Sequence, residues 1–316
     1  MIISAHAPTV SVLMSAYNAE AYIGKAVQSI LNQTFNDFEF IIINDGSTDS
    51  TGNILESFHD NRIVLVHKDN TGLTKALNQG LSLARGEYIA RMDADDISLP
   101  ERLARQMQFL EENPATGLIG CHFYVIDSDG GQKSLCCPPI YNDEIQKELL
   151  MGNQFCHGSV VFRTECIKTV GLYREFFKFA QDFDLWLRIA EKYQCSNLAV
   201  PLYQWRGEQH SLSLRSLKEK NNQFMYAAFA ILLAKERRTA GVDRLQRYPE
   251  RQWDLAQELN GKAGGTILSS LYFTTSRGLQ RRGDIQSARA LAQKACLSNP
   301  LRWRYWKHLF ALMQCP

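Results

Sequence analysis

Short apolar runs and helical periodicities alternate along the first part of the chain. Val10-Ser11-Val12-Leu13-Met14-Ser15 is a β-type run that ends at Ala16-Tyr17-Asn18. Ala21, Ile23, Ala26, Val27, Ile30 and Leu31 then follow the spacing of one helix face. Phe38 to Ile43 predicts a second strand, stopped by Asn44-Asp45-Gly46-Ser47. Asp49 and Ser50 are placed to cap a helix with Ile54, Leu55 and Phe58 on its apolar side. Ile63 to Val66 reads as a third strand, and Leu73 to Ala84 as a helix with Gly86 just past its end. Tyr88 to Met92 is a fourth strand. This alternation predicts a mostly parallel sheet wound by helices, an α/β class.

Further along, Pro100 to Glu112 predicts a helix, Leu118 to Asp127 a strand, Gly158 to Phe162 a strand and Asp182 to Lys192 a helix. After about residue 216 the pattern is all-helical, with Met225 to Ala234 its most apolar helix. Residues 266–281 and 284–297 read as a helical hairpin of tetratricopeptide type, turned at Arg282-Gly283-Asp284. One such unit cannot bury its own face, so it is expected to pack on a neighbouring helix or a partner. The expected organisation is a domain over 1–215 and a helical C-terminal extension over 216–316.

Composition narrows the class. An apolar content of 45% and a charged content of 22% fit a soluble globular protein, and a net charge of +2 argues against a nucleic-acid binder. That total hides an asymmetry. Residues 216–316 hold 17 Lys/Arg and 7 Asp/Glu, a balance of +10, whereas the rest hold 18 and 26, a balance of −8. The eight cysteines include no Cys-x-x-Cys pair. Neither a signal peptide nor a long apolar window is seen. These features predict reduced thiols and a cytoplasmic protein, with a basic, aromatic tail suited to peripheral contact at the inner face of a membrane, or else forming a solvated helical face.

The candidate chemistry lies at strand ends. Ligands of open wound sheets bind beyond the carboxyl ends of the strands, where Ser15 to Asn18, Asn44 to Ser47 and Asp93 to Asp96 fall. Asp93, Asp95 and Asp96 put three like charges within four residues, which is costly unless a cation offsets them. Mn²⁺ or Mg²⁺ fits, since such ions accept one or two carboxylates together with phosphate oxygens. The plainer alternative is a solvated acidic loop ahead of the helix near Pro100.

Four segments together resemble a known family: Val10 to Asn18, Ile43 to Asp49, Met92-Asp93-Ala94-Asp95-Asp96, and Gln181-Asp182-Phe183-Asp184-Leu185-Trp186-Leu187-Arg188. Over roughly residues 8–215 the chain is similar to the inverting family 2 glycosyltransferases of the GT-A fold. The resemblance implies that Asp45 accepts a hydrogen bond from a uracil N–H, with Ser15 and Tyr17 at the base. It implies that Asp95 is the direct metal ligand, with Asp93 near the ribose or the metal's water shell. Asp182 would be the general base, taking a proton from an acceptor hydroxyl. The family usually has Glu-Asp where this chain has Gln181-Asp182, a change that removes one charge beside the base. Asp182 also falls where a helix N-cap would. Lys75 faces a diphosphate in one reading and solvent in the other. His157 lies either near the acceptor or in the core, and Trp186 likewise. His210 matches a loop histidine that reaches the metal or a phosphate, or is a surface residue.

The implied activity is transfer of a sugar, with inversion, from a nucleotide-diphosphate donor, a UDP-sugar in the first instance. The acceptor would be a saccharide, a lipid-linked intermediate or a protein hydroxyl, as in polysaccharide biosynthesis. Two other classes are weighed. A nucleotidyltransferase would want a Gly-rich phosphate loop after the first strand, which Ala16-Tyr17-Asn18-Ala19-Glu20 is not. A non-catalytic sugar-nucleotide-binding or scaffolding protein would not need Asp95 and Asp182.

Overall fold

The computed structural model describes residues 7–207, 223–281 and 283–314. These form two compact units: one from 7–146, 154–176 and 188–207, the other from 147–153, 177–187 and the described residues after 222. The division is therefore not a single cut in the sequence.

The first unit is built on a nine-stranded sheet among the described residues. Strands β1 (Val10–Ala16), β2 (Phe38–Asp45), β3 (Ile63–Lys68) and β4 (Tyr88–Asp93) pair in parallel in the order β3-β2-β1-β4. Helices α1 (Ile23–Leu31), α2 (Thr51–Glu56) and α3 (Leu73–Leu83) connect them. The expected wound sheet is thus found where the apolar runs placed it. Every residue of β2 through Ile43 is buried, as in a strand covered on both faces. Beyond β4 the pairing is mixed. The short β5 (Ile97–Ser98) leads to α4 (Arg102–Glu112) and to the strands β6 (Thr116–Ile126) and β7 (Gln132–Cys136). After α5 (Asn142–Glu148) come β8 (Val161–Arg163), α6 (Thr164–Val170), α7 (Gln181–Ala190) and β9 (Gln194–Arg206). β8 runs antiparallel to β4 and β6, while β9 runs parallel to β6.

Two expectations need correction. The strand predicted over 158–162 begins only at Val161, because His157–Ser159 forms a 3₁₀ turn closed by Ser159 N–H to the Cys156 carbonyl at 3.0 Å. Asp182 lies inside the first turn of α7 and is not its N-cap.

Where α3 returns to the sheet, the backbone is packed too closely for a side chain. A Cβ on Gly86 would lie 2.5 Å from the Ser11 nitrogen. Gly86 N–H donates to Ser11 Oγ at 2.8 Å, and that hydroxyl donates to buried Glu39 at 2.6 Å. Arg85 completes the group with Nε–H and Nη2–H bonds to Glu39 Oε2 at 2.8 and 2.6 Å.

The second unit is helical after residue 222: α8 (Gln223–Ala240), α9 (Arg244–Arg247), α10 (Leu255–Glu258), α11 (Lys262–Arg281), α12 (Ile285–Ser298) and α13 (Trp303–Met313). The predicted hairpin is α11 and α12. Asp284 caps α12 by accepting from Ser287 N–H at 3.0 Å. The neighbour that such a unit requires is α13, whose Tyr305, Leu309 and Leu312 pack on Ala288, Ala292 and Ala295. No helix among the described residues is long and apolar enough to cross a membrane.

Two glycines should respond in opposite ways. Gly86→Ala forces a backbone clash and should cost about 1–3 kcal/mol of unfolding free energy. Gly278→Ala, inside α11 with nothing within 4 Å of the added carbon, should gain about 0.5–1 kcal/mol from helix propensity. Urea unfolding of each variant checks both signs.

Candidate active site

The carboxyl ends of β1 and β2 are fastened to each other. Asn18, in the left-handed region at φ 47°, donates its N–H to Ser47 Oγ at 3.1 Å, and its Oδ1 accepts from Thr48 N–H at 2.8 Å. Ala19 N–H reaches Thr51 Oγ1 at 2.8 Å, and Glu20 accepts from Ser50 N–H at 2.9 Å. Gly46 has φ 74°, and a Cβ there would meet the Asn70 nitrogen at 2.4 Å, so only glycine fits this turn. Around this frame Ser15 is half-buried and Tyr17 is 53% exposed.

Asp45 closes β2 and is 2% exposed. Its Oδ1 accepts from Lys68 Nζ at 2.8 Å and Thr71 N–H at 3.0 Å, and its Oδ2 from Gly72 N–H at 2.9 Å. Burial raises its pKa, but these donors together outweigh burial and hold it below the ordinary 3.8. Lys68, at the end of β3, is the cation built into this edge, and the sequence reading passed over it. Its signal was its place at the third strand end, beside the other two. Lys75 lies one turn into α3, exposed, 3.8 Å from Glu175.

β4 delivers the acidic run. Ser15 on β1 is in register with Asp93, so the two strand ends are neighbours. Asp93 is paired with buried Arg91, Nη2 to Oδ1 at 2.6 Å, and its N–H donates to Tyr203 Oη at 3.3 Å. Asp95 is exposed, while Asp96 is 1% exposed. Asp96 Oδ1 accepts from Arg206 N–H at 2.7 Å, and among the described residues its Oδ2 has no partner. Burial, then the charges of Asp95 and Asp93, push the Asp96 carboxyl well above its usual range, and the Arg206 N–H and the Tyr203 hydroxyl only partly oppose this.

Two more arginines hold this loop. Arg206 Nε–H donates to the Asp95 carbonyl at 2.7 Å, with its guanidinium 4.3 Å from the Tyr22 ring centroid. Fully buried Arg102 donates from Nη1 to the carbonyls of Arg91 and Gly158, both at 2.9 Å. Gly158 is held so tightly that a Cβ would lie 2.0 Å from Tyr203 Oη and 2.8 Å from Asp93 Oδ2. His157 bonds Tyr173 Oη through Nε2 at 3.1 Å. Burial, then the charge of Arg91, lowers its pKa to about 3, with Asp93 pulling the other way. It is therefore a neutral imidazole at neutral pH.

Asp182 belongs to the second unit, where Asn153 Nδ2 donates to its Oδ2 at 2.8 Å. Gln181 beside it is buried. Ala180, just before α7, has φ 54°, an uncommon conformation for a residue with a side chain. Trp186 has no exposed surface, so its side chain is a core group and not an acceptor contact in this structure. His210 lies outside the described residues. The structure thus gathers Ser15, Asp93, Asp95 and His157 at neighbouring strand ends of the first unit and leaves Lys75 on its surface.

Comparison with known proteins gives the class. With TM-scores of 0.59 and 0.54, the architecture is that of the GT-A transferases TarS of S. aureus, solved with UDP-GlcNAc, and the mannosyltransferase PcManGT of Pyrobaculum calidifontis, solved with GDP-Man and Mn²⁺. The first is 18% identical, covering 96% of this chain and 90% of that one, and the second is 19% identical, covering 98% and 86%. EpsE of Bacillus subtilis (strain 168) is 35% identical over 216 residues, 66% of this chain and 77% of EpsE. The model of Glycosyl transferase family 2 matches residues 11–169, and the chain belongs to that family. It is a glycosyltransferase.

Replacing Asp45 tests its place in this frame. Asp45→Asn should cost about 1–3 kcal/mol at pH 7, because buried donors lose a charged acceptor. The native pKa lies below 3.8, so this advantage is complete above that value and is lost as pH falls through the native one. Thermal unfolding of both proteins between pH 7 and pH 2 should show the difference shrinking on acidification.

Proposed function

We propose that this enzyme is a metal-dependent, inverting transferase that uses a UDP-sugar and serves polysaccharide assembly on a saccharide or lipid-linked acceptor. The observation that carries the reading is the placing of Asp93 and exposed Asp95 at the carboxyl end of β4, beside Ser15 of β1, in a chain of Glycosyl transferase family 2. Among the described residues no three His, Cys, Asp or Glu side chains form a metal cage, but Mg²⁺ or Mn²⁺ suits one or two carboxylates completed by water and substrate phosphate. Mn²⁺ or Mg²⁺ would be held by Asp95, with Asp93 close and His210 a further candidate. When bound, such an ion would neutralise the departing nucleoside diphosphate. The Mn²⁺ bound by PcManGT and the UDP-GlcNAc bound by TarS support the choice of cofactor and donor class.

The side chains have separate tasks. Tyr17 offers an exposed ring on which a base can stack. Asp45, ionised at neutral pH because its pKa lies below 3.8, offers the lone pairs left on its oxygens to a uracil N–H, and Ser15 offers its hydroxyl. Lys75, exposed in the first turn of α3, is a mobile cation for phosphate. Asp182 takes the proton from the acceptor hydroxyl as its oxygen bonds to the anomeric carbon. The bond from that carbon to the diphosphate oxygen breaks, its electron pair leaving with the nucleotide, and the configuration inverts. The Asn153 bond orients Asp182 for this. Neutral His157 serves as a hydrogen-bonding group on the acceptor side.

Two variants divide the roles. Asp95→Ala should weaken Mn²⁺-dependent UDP binding at least about 10-fold, and unchanged metal affinity counts against its ligand role. Asp182→Asn should lower turnover by about 10²–10⁴-fold with UDP affinity nearly unaltered. Calorimetry with UDP and Mn²⁺, plus donor hydrolysis on a nucleotide-sugar panel, reads both. Inactivity on every donor together with no metal-dependent UDP binding would instead mark a scaffold.

A further inference from the structure

The last helix presents two faces of different character. At roughly 100° per residue, Tyr305, Leu309 and Leu312 fall together, and all three are buried against α12. Trp303, Trp306, Phe310 and Met313 fall within roughly 80° of one another on an adjacent face, about 110° round the helix. They are 69%, 37%, 59% and 62% exposed. Leu301, in the turn before the helix, is 94% exposed. Monomeric surfaces carry single exposed apolar residues but seldom a stripe of large ones along one helix.

The surroundings of the stripe say what covers it. Arg302 and Lys307 are exposed and flank it. Lys307 Nζ lies 5.4 Å from the Trp303 ring centroid, so the cation sits at the edge of the aromatic face. After Asp284 the sequence contains no Asp or Glu, while Arg289, Lys294, Arg302, Arg304 and Lys307 follow it. Trp306 Nε1–H is already bonded to the Pro300 carbonyl at 2.9 Å, which leaves the ring to pack without stranding its donor. Tryptophan and phenylalanine beside lysine and arginine, in a stretch of sequence without acids, is the chemistry of the boundary between acyl chains and anionic headgroups.

We infer that the outer face of α13 docks this enzyme on an anionic lipid surface. Trp303, Trp306, Phe310 and Leu301 enter the acyl boundary, and Arg302 and Lys307 meet the headgroups. Docking of this kind is peripheral and salt-dependent, because several weak contacts add up and the ionic share is screened. It does not depend on the donor or metal assigned above, and its failure would leave those assignments standing.

The experiment is sedimentation of the full chain with phosphatidylcholine vesicles, with and without 30% phosphatidylglycerol, followed also by tryptophan fluorescence. Binding should be at least about 10-fold tighter to the anionic vesicles, fall with added salt and shift the emission to the blue. Trp303→Ser/Phe310→Ser should weaken binding to the anionic vesicles about 10-fold or more. Arg302→Gln/Lys307→Gln should reduce the preference for anionic vesicles by about 30-fold, from about 1 kcal/mol for each of the two cations. All four residues are exposed, so both proteins should keep the parent unfolding midpoint and UDP affinity. Failure of the parent to bind anionic vesicles at low salt would overturn the inference, as would binding by both variants as tight as the parent's. Dimerisation that the Trp303→Ser/Phe310→Ser change abolishes, without vesicle binding, would overturn it in favour of a second copy on this face.

Discussion

Negative charge gathered at the end of one strand is the constraint around which the first unit is arranged. Asp93, Asp95 and Asp96 repel one another, and one of them is fully enclosed. The chain answers with three arginines. Arg91 pairs with Asp93 from within the same strand. Arg102 ties the strand to the turn at Gly158. Arg206, closing β9, clamps the Asp95 carbonyl and the Asp96 carboxylate together. Guanidinium suits this work because several donors on one rigid plane can satisfy carbonyls and a carboxylate at once. The arginines fix the backbone around Asp95, which is exposed.

Much of this was legible in the amino-acid sequence, and the reason is local. β1 to β4 are short apolar runs with clear stops, so pattern alone gives their positions, and the parallel pairing follows from the intervening helices. The later part of the unit resists such reading. β9 carries Ser196, Asn197 and Pro201 within a strand whose pairing with β6 slips twice near its middle, so no clean alternation marks it. Gly158 was read as strand because Val160, Val161 and Phe162 follow it, yet its contact with the Tyr203 hydroxyl dictates a tight turn. That hydroxyl arrives from a strand that the pattern did not reveal.

The candidate site divides in the same way. Asp93 and Asp95 were legible because like charges in a cluster need an explanation whatever the fold. Lys68 was not, since a lysine at a strand end looks like any other until its partner is known, and only the β2–β3 pairing brings it to Asp45. Lys75 had the same credentials in sequence, but the structure gives it only a distant surface carboxylate. His157 is half-buried, hydrogen-bonded to Tyr173, and felt by Arg91 and Asp93. Trp186 went the other way, into the core.

The bonds between the loop at Asn18 and the loop at Thr48 have a consequence for how such enzymes diversify. Each loop supplies groups that complete the other, from Asn18 and Ser47 to Glu20 and Ser50. A graft that replaces one of them with a relative's version would strand backbone amides on the other. Specificity engineering at this edge therefore has to exchange residues 17–20 and 46–51 as a single cassette, and recombination breakpoints between the two should yield poorly folded chimeras.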